Sequence, residues 1–349
     1  MKKWMLGVMV LAMLAAPMLA CGFPLPAGTE MMKVSKAVCA ETEAAATCQE
    51  RQDAYQLMGK LQSATIPDFE MKMVVDVEGE NTEISASGSV EYMLVDSNEG
   101  LGANIHAVIT DGVVGGADGT TPLGNIEFIV VGNKAYTSED GGETWTYEEL
   151  DEMTFFGLSL LLGLGGPTGA GLDLYADPAI FTVTEAGEEE LNGQTMHVQT
   201  LSLDLLKLMT ASETLSTLMA DTFGAITPLG VGEESLGMTS EEFVGLLAIP
   251  GVAEEMMKSL EGSEASTTIY IGADDGYIHF VAEKFVVNMV TDPGQPPLVM
   301  SYELTGHITE HNAPLTIAEP TSAEQGAGLF GEGGDLFGGG GLGDSLFGQ

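Results

Sequence analysis

Cys21 closes the run Met18-Leu19-Ala20-Cys21, behind Lys2, Lys3 and an apolar stretch from Trp4 to Ala20. A charged start, an apolar middle and a small residue before the cut describe an export signal. A cysteine at the cut resembles a lipobox, in which the thiol takes a diacylglyceryl group and becomes the first residue of the processed chain. Met18 stands where leucine is usual and Leu19 where a small residue is usual. The apolar run is at the short end of what a membrane span needs, and Pro17 interrupts its end, so the reading is tethered rather than spanning. Two acyl chains hold a protein on a bilayer where one does not.

The other candidates for chemistry resolve into structure. Ser138-Glu139-Asp140-Gly141-Gly142-Glu143-Thr144-Trp145 fits S-x-D-x-G-x-T-W, the Asp-box turn of sialidase-like propellers. A propeller needs one copy per blade, and a single copy reads as a turn in which the aspartate accepts local backbone hydrogen bonds. His307-Ile308-Thr309-Glu310-His311 spells H-x-x-E-H. That zinc pattern needs a helix to put both imidazoles on one face, whereas this stretch reads as a strand end before Pro314. Asp274-Asp275 and Glu188-Glu189-Glu190 read as turn and solvated-surface residues. Asp96-Ser97-Asn98-Glu99-Gly100 lacks the ligand series of a calcium loop. With no G-x-S-x-G elbow, Walker loop or dinucleotide fingerprint, the expectation is a chain that is not an enzyme and carries neither cofactor nor metal.

Cys39 and Cys48 remain, and an exported compartment permits a disulfide. On one continuous helix, nine residues place them about 13 Å apart on opposite faces, too far to bridge. A bridge requires the helix to begin after about Glu43; otherwise the two are separately buried thiols.

The elements that must position these residues follow from periodicity. A helix reads most securely from Ala44 to Leu61, with good formers and no proline. From Pro67 the period is two. Phe69, Met71, Met73, Val75 and Val77 alternate with mostly polar residues, then Ile84 through Leu94, then Leu101 through Ile109. Such runs are strands with one dry face, and the short loops between them make a meander of hairpins. Ile126–Val131 turns at Gly132-Asn133 into Ala135-Tyr136-Thr137. Further strands read at 180–183, 194–203, 266–272, 277–290 and 298–309. Phe155 to Leu164 is almost wholly apolar but too short to span a membrane. Helices read at 204–223, at a short segment capped by Thr239 and Glu242, and at 252–260. Residues 321–349 are glycine-rich with Leu-Phe-Gly at Leu329, Leu336 and Leu346, and read as a disordered tail.

Charge excludes partners. The chain has 11 basic and 52 acidic side chains; without residues 1–20, which carry Lys2 and Lys3, 9 face 52, a net of −43. Nucleic acid needs a basic footprint and is excluded, as is adhesion of the body to anionic headgroups. Methionine is frequent, at 20 residues, and fills apolar space that varies in shape.

The layout resembles the LolA/LolB superfamily, and more closely the LppX/LprG-type bacterial lipoproteins. The residues that carry the likeness are Val130-Val131-Gly132-Asn133-Lys134-Ala135-Tyr136 before Trp145; Leu191-Asn192-Gly193-Gln194-Thr195; Ile269 through Ile278; and Asn312-Ala313-Pro314-Leu315-Thr316-Ile317. The insert at 155–172, the acidity and the tail depart from it. The resemblance implies an α+β fold: a curled antiparallel β half-barrel with an N-terminal helix and helices closing over an apolar cavity. The organisation is then a signal over 1–20, a linker from the lipidated cysteine over 21–43, a lipid-binding domain over 44–320 and the tail over 321–349. The implied function is a cell-envelope lipoprotein that binds or carries acyl chains such as palmitate, with 155–164 and 204–223 as lid. The alternative keeps the fold as a sensor or assembly module, its tail contacting another envelope protein. Met71, Met73, Val75, Ile84, Val90, Tyr92, Ile105 and Phe156 are the expected lining. The Cys21→Ser variant is expected to leave the membrane fraction and lose labelled palmitate while still binding ligand. Cell fractionation with metabolic labelling and a ligand titration check it.

Overall fold

A computed structural model describes residues 39–77, 80–95, 103–116, 119–122, 124–149, 178–204, 207, 262–289 and 298–326. Cys21, Phe156, the insert at 155–172, the expected helices beyond Lys207 and the Leu-Phe-Gly repeats lie outside them. Among the described residues there is one helix, α1 (Ala45–Met58), and one sheet. No described helix is long and apolar enough to cross a membrane.

The strands are β1 (Ser63–Val77), β2 (Glu80–Leu94), β3 (Ala103–Gly116), β4 (Gly119–Pro122), β5 (Ile126–Val131), β6 (Lys134–Ser138), β7 (Thr146–Glu149), β8 (Phe181–Leu191), β9 (Gln194–Leu203), β10 (Glu264–Gly272), β11 (Ile278–Met289), β12 (Leu298–His307) and β13 (Glu324–Gln325). Their order is β13-β7-β6-β5-β3-β2-β1-β12-β11-β10-β9-β8, with β4 beside β3. Two meanders meet at the centre: the first half runs outward from β1, and the second returns from the far edge until β12 pairs antiparallel with β1, Met73 opposite Tyr302. All pairings are antiparallel except β13 on β7, which makes the sheet mixed. Residues 321–326, grouped by sequence with the tail, thus include a short strand against Thr146 and Tyr147.

Local chemistry sets the turns. At Asn192-Gly193 both residues take positive φ, 52° and 81°, which is the primed turn whose twist suits a two-residue hairpin. Asp275 caps the β10–β11 turn by accepting from the Tyr277 N–H at 3.1 Å. Bulges interrupt the ladders at Ile66/Phe69, Ser87/Gly88, Glu185/Gly187 and Tyr270/Ile271. Each adds local bend and twist. Gly88 belongs to this device, since a Cβ there would collide with the Val108 carbonyl oxygen.

Helix α1 begins at Ala45, after Glu43, and Cys39 and Cys48 are joined with Cα atoms 5.3 Å apart. The chain turns back before the helix, as a bridge across nine residues requires. The helix has no side-chain N-cap and no acidic first turn, so tertiary contacts hold it. Arg51, fully buried, pairs with Glu43 at 2.6 Å and lies 5.9 Å from the centre of the Phe181 ring. Glu43 also accepts from the Ala40 N–H at 2.9 Å. Ala54, Met58 and Leu61 then pack into the core with Leu201, Ile269, Ile278 and Ile308.

Removing one member of a buried ion pair strands the other charge. Arg51→Ala is expected to cost on the order of 3–5 kcal/mol, and the double replacement Arg51→Met, Glu43→Leu much less. Chemical denaturation midpoints check both.

Candidate functional site: the dry face of the sheet

Strand register places the described members of the expected lining on one face. Met71, Met73 and Val75 stand opposite Ala86, Ile84 and Thr82, Ile66 opposite Val90, and Tyr92 between Ala64 and Ile105. The Ile66/Phe69 bulge keeps both ends of β1 on this face. Val75, Val90, Tyr92 and Ile105 are buried, and Met71, Met73 and Ile84 half-buried. Reasoning from sequence missed the other half of the face. Across the β1–β12 junction it continues through Met300, Tyr302 and Leu304, then Phe285 and Val287, then Ile269 and Leu201. The alternation Met300-Tyr302-Leu304 carried that signal.

Twelve strands at about 4.8 Å spacing make a face roughly 50 Å wide. A helix of 14 residues is about 21 Å long and 10 Å thick. The described helix therefore covers a minor part of it, at the β8–β11 side.

Polar contacts fix the helix there. Glu50 takes a hydrogen bond from His197 and another from Gln199 Nε2 at 2.9 Å. Gln199 also reaches the Thr47 carbonyl at 3.4 Å, and Thr47 donates to Glu185. His197 faces Glu50 on the helix and Glu188 and Glu185 on β8. Its hydrogen bond to Glu50 raises the imidazole above its ordinary pKa, partial burial opposes this, and the charges of Glu50, Glu188 and Glu185 add to it. None of this network had a sequence signal, because Thr47 and Glu50 are some 150 positions from β9.

The other motifs fall outside this face. Asp140 accepts from the Glu143 N–H (3.0 Å), the Thr144 N–H (2.9 Å), the Ser138 hydroxyl (2.7 Å) and the Thr144 hydroxyl (2.5 Å). The Thr144 bonds foremost hold its carboxyl down to about 2, so it is a turn anchor with both oxygens engaged. Trp145 Nε1 donates to the Gly142 carbonyl at 3.1 Å. His307 and His311 do not share a site: His307 meets Asp68 at 2.5 Å, while His311 stacks on Tyr277 and donates to the Ile278 carbonyl. Glu310 and Asn312 have positive φ, 53° and 60°, so the stretch is a turn rather than the helix that a zinc site needs. On the opposite face of β5–β7, the strap after β12 lays Ile317 against Ile129 and Tyr136, with Trp145 and Ala323 beside them.

No family model and no curated protein matches the sequence. Among solved structures, the chain is similar to the lipoprotein LppX of Mycobacterium tuberculosis, with 14% identity over 79% of this chain and 100% of that one and a TM-score of 0.32. It is similar to LprF from Mycobacterium bovis, with 14% identity over 78% and 96% and a TM-score of 0.36. A putative outer membrane lipoprotein-sorting protein domain from Vibrio parahaemolyticus matches at 7% identity over 77% and 93%, TM-score 0.19. Together they support the LppX-type fold that the sequence resembles. Likeness of this degree carries no argument about function, so the geometry must.

Because the folded-state pKa of His197 is raised, its contribution to stability is full below the unfolded value of about 6.5 and is lost as pH rises through the folded value. As pH rises above about 6.5 the helix is expected to loosen on the sheet, and His197→Gln to flatten that dependence. Hydrogen exchange of α1 as a function of pH checks it.

Proposed function

We propose that this chain is an envelope lipoprotein, anchored through acylated Cys21, whose sheet curls into a half-barrel and holds acyl chains against its dry face. The observation that carries the reading is the mismatch between a face roughly 50 Å wide and a single described helix about 21 Å long. Exposed apolar patches on soluble proteins rarely exceed a few hundred Å². A sheet with this much dry surface curls on itself, is covered by chain beyond the described residues, takes a ligand, or combines these. One further feature supports the curl: four bulges bend the strands.

The energetics suit an acyl ligand. A palmitoyl chain gains about 12 kcal/mol at roughly 0.8 per CH₂, against association costs of about 4–15 kcal/mol. Affinity would then come from burial, and selectivity from the shape of the face. Met71 and Met73, half-buried in the middle of β1, are adaptable side chains in the right place for a variable ligand. The acidic body keeps off the bilayer, so the anchor and the binding face act separately.

One observation favours a second reading of the same fold as an assembly module. Glu324–Gln325 adds to the β7 edge in parallel, which shows that this edge accepts an extended segment, and a partner could present one in the same way. The two readings separate in native mass spectrometry of the protein extracted in mild detergent. Lipid carriage predicts adducts with the mass of acyl lipids, released on collisional heating. Absence of any copurified lipid, together with no displacement of a fluorescent acyl probe, would leave the assembly reading.

A further inference from the structure

Tyr92 is a large side chain set among small ones. In register it stands between Ala64 and Ile105, and its diagonal neighbours on β3 are Ala103 and Ala107. All four are buried. The ring lies on the dry face, in the same packed cluster as Met58 and Leu61. It is 3% exposed, and its hydroxyl has no hydrogen-bond partner among the described residues.

That orphan hydroxyl has a cost. A buried hydroxyl without a partner works against the fold, and phenylalanine would fill the same space without it. Burial pushes the phenol well above its ordinary range, so it stays protonated and acts as a donor. Its register and diagonal neighbours Ala64, Ala103, Ile105 and Ala107 carry no polar side-chain atom, so a donor among them answers a single acceptor on an otherwise apolar ligand. The acceptor class is further narrowed by charge. A chain with net charge −41 disfavours a carboxylate head, whereas the carbonyl oxygen of an acyl ester is uncharged and accepts one strong hydrogen bond.

Resting on the lipid-binding reading above, we infer that Tyr92 is a specificity residue that donates its hydroxyl to the ester carbonyl of the bound acyl ligand, beside Ala64, Ala103 and Ala107. The hydrogen bond fixes where along the chain the carbonyl lies, so it sets the register of the ligand on the face. Acyl chains on either side then pack by burial alone.

The test uses the full-length protein, delipidated, with two probes: a pyrene-labelled palmitic methyl ester and the matching pyrene-alkane, which lacks the carbonyl. Tyr92→Phe is expected to weaken the ester about five- to tenfold, leave the alkane unchanged, and leave Tm unchanged or raised. A lowered Tm would mean that the hydroxyl is already bonded within the protein and would overturn the assignment. So would an equal change for both probes, or no change for either. If the unsubstituted protein binds neither probe, the lipid-binding reading itself fails; if it binds both and Tyr92→Phe does not discriminate, only the role of Tyr92 fails.

Discussion

Everything in this structure answers to one constraint: a single sheet of twelve consecutive strands has to keep one very wide face out of water. In a two-layer protein, a second sheet or a row of helices does this. Here the described chain offers one helix, which spans less than half the width of the sheet. The strands carry part of the burden themselves. They are long, up to 15 residues, and bulges recur in both meanders. Gly88 lies where two strands come closest, with no room for a side chain. Bends of this kind turn a flat surface into a concave one and reduce what must be covered.

The helix is then a fastening as much as a cover. Its sequence is weakly amphipathic and it lacks a side-chain cap, so isolated it would be marginal. It is held by a disulfide before its first turn, by the buried Arg51–Glu43 pair, and by the contacts of Thr47 and Glu50 with β8 and β9. Placing charged and polar contacts between a helix and a sheet edge has a physical consequence. Unlike apolar packing, these contacts have one geometry, so they define where the helix sits, and one of them depends on the protonation of His197. The opposite face is treated differently. There a strap of chain seals Ile129 and Tyr136, and no helix is used.

The acidity of the chain fits the same arrangement. Histidines are few, and four of the five sit beside carboxylates, among them His106 between Glu91 and Glu127 and His279 against Asp275. Glu-rich β8 ends the sheet, and like charges along an open edge discourage pairing with another copy. The result is a surface that repels its own kind and anionic membranes around a face that is dry.

Much of the fold was legible in the residues, because the signals were local. Alternation in Phe69–Val77 and Ile84–Leu94 fixed which side chains share a face, and Asn192-Gly193 and Asp274-Asp275-Gly276 marked turns by backbone chemistry. The spacing of Cys39 and Cys48 showed that a bridge needs a helix that starts late, and α1 does. Composition offers no basic footprint for nucleic acid. What the tertiary structure alone decided is long-range. Pairing of β1 with β12 joins residues more than 200 positions apart, and no local pattern encodes a partner strand. The docking of Thr47 and Glu50 on β8 and β9 is of the same kind. So is the isolation of the Tyr92 hydroxyl: its period put it on the dry face, but only the alanines of neighbouring strands determined that nothing there would meet it. Periodicity is a property of one strand, whereas register and vacancy are properties of several strands packed together.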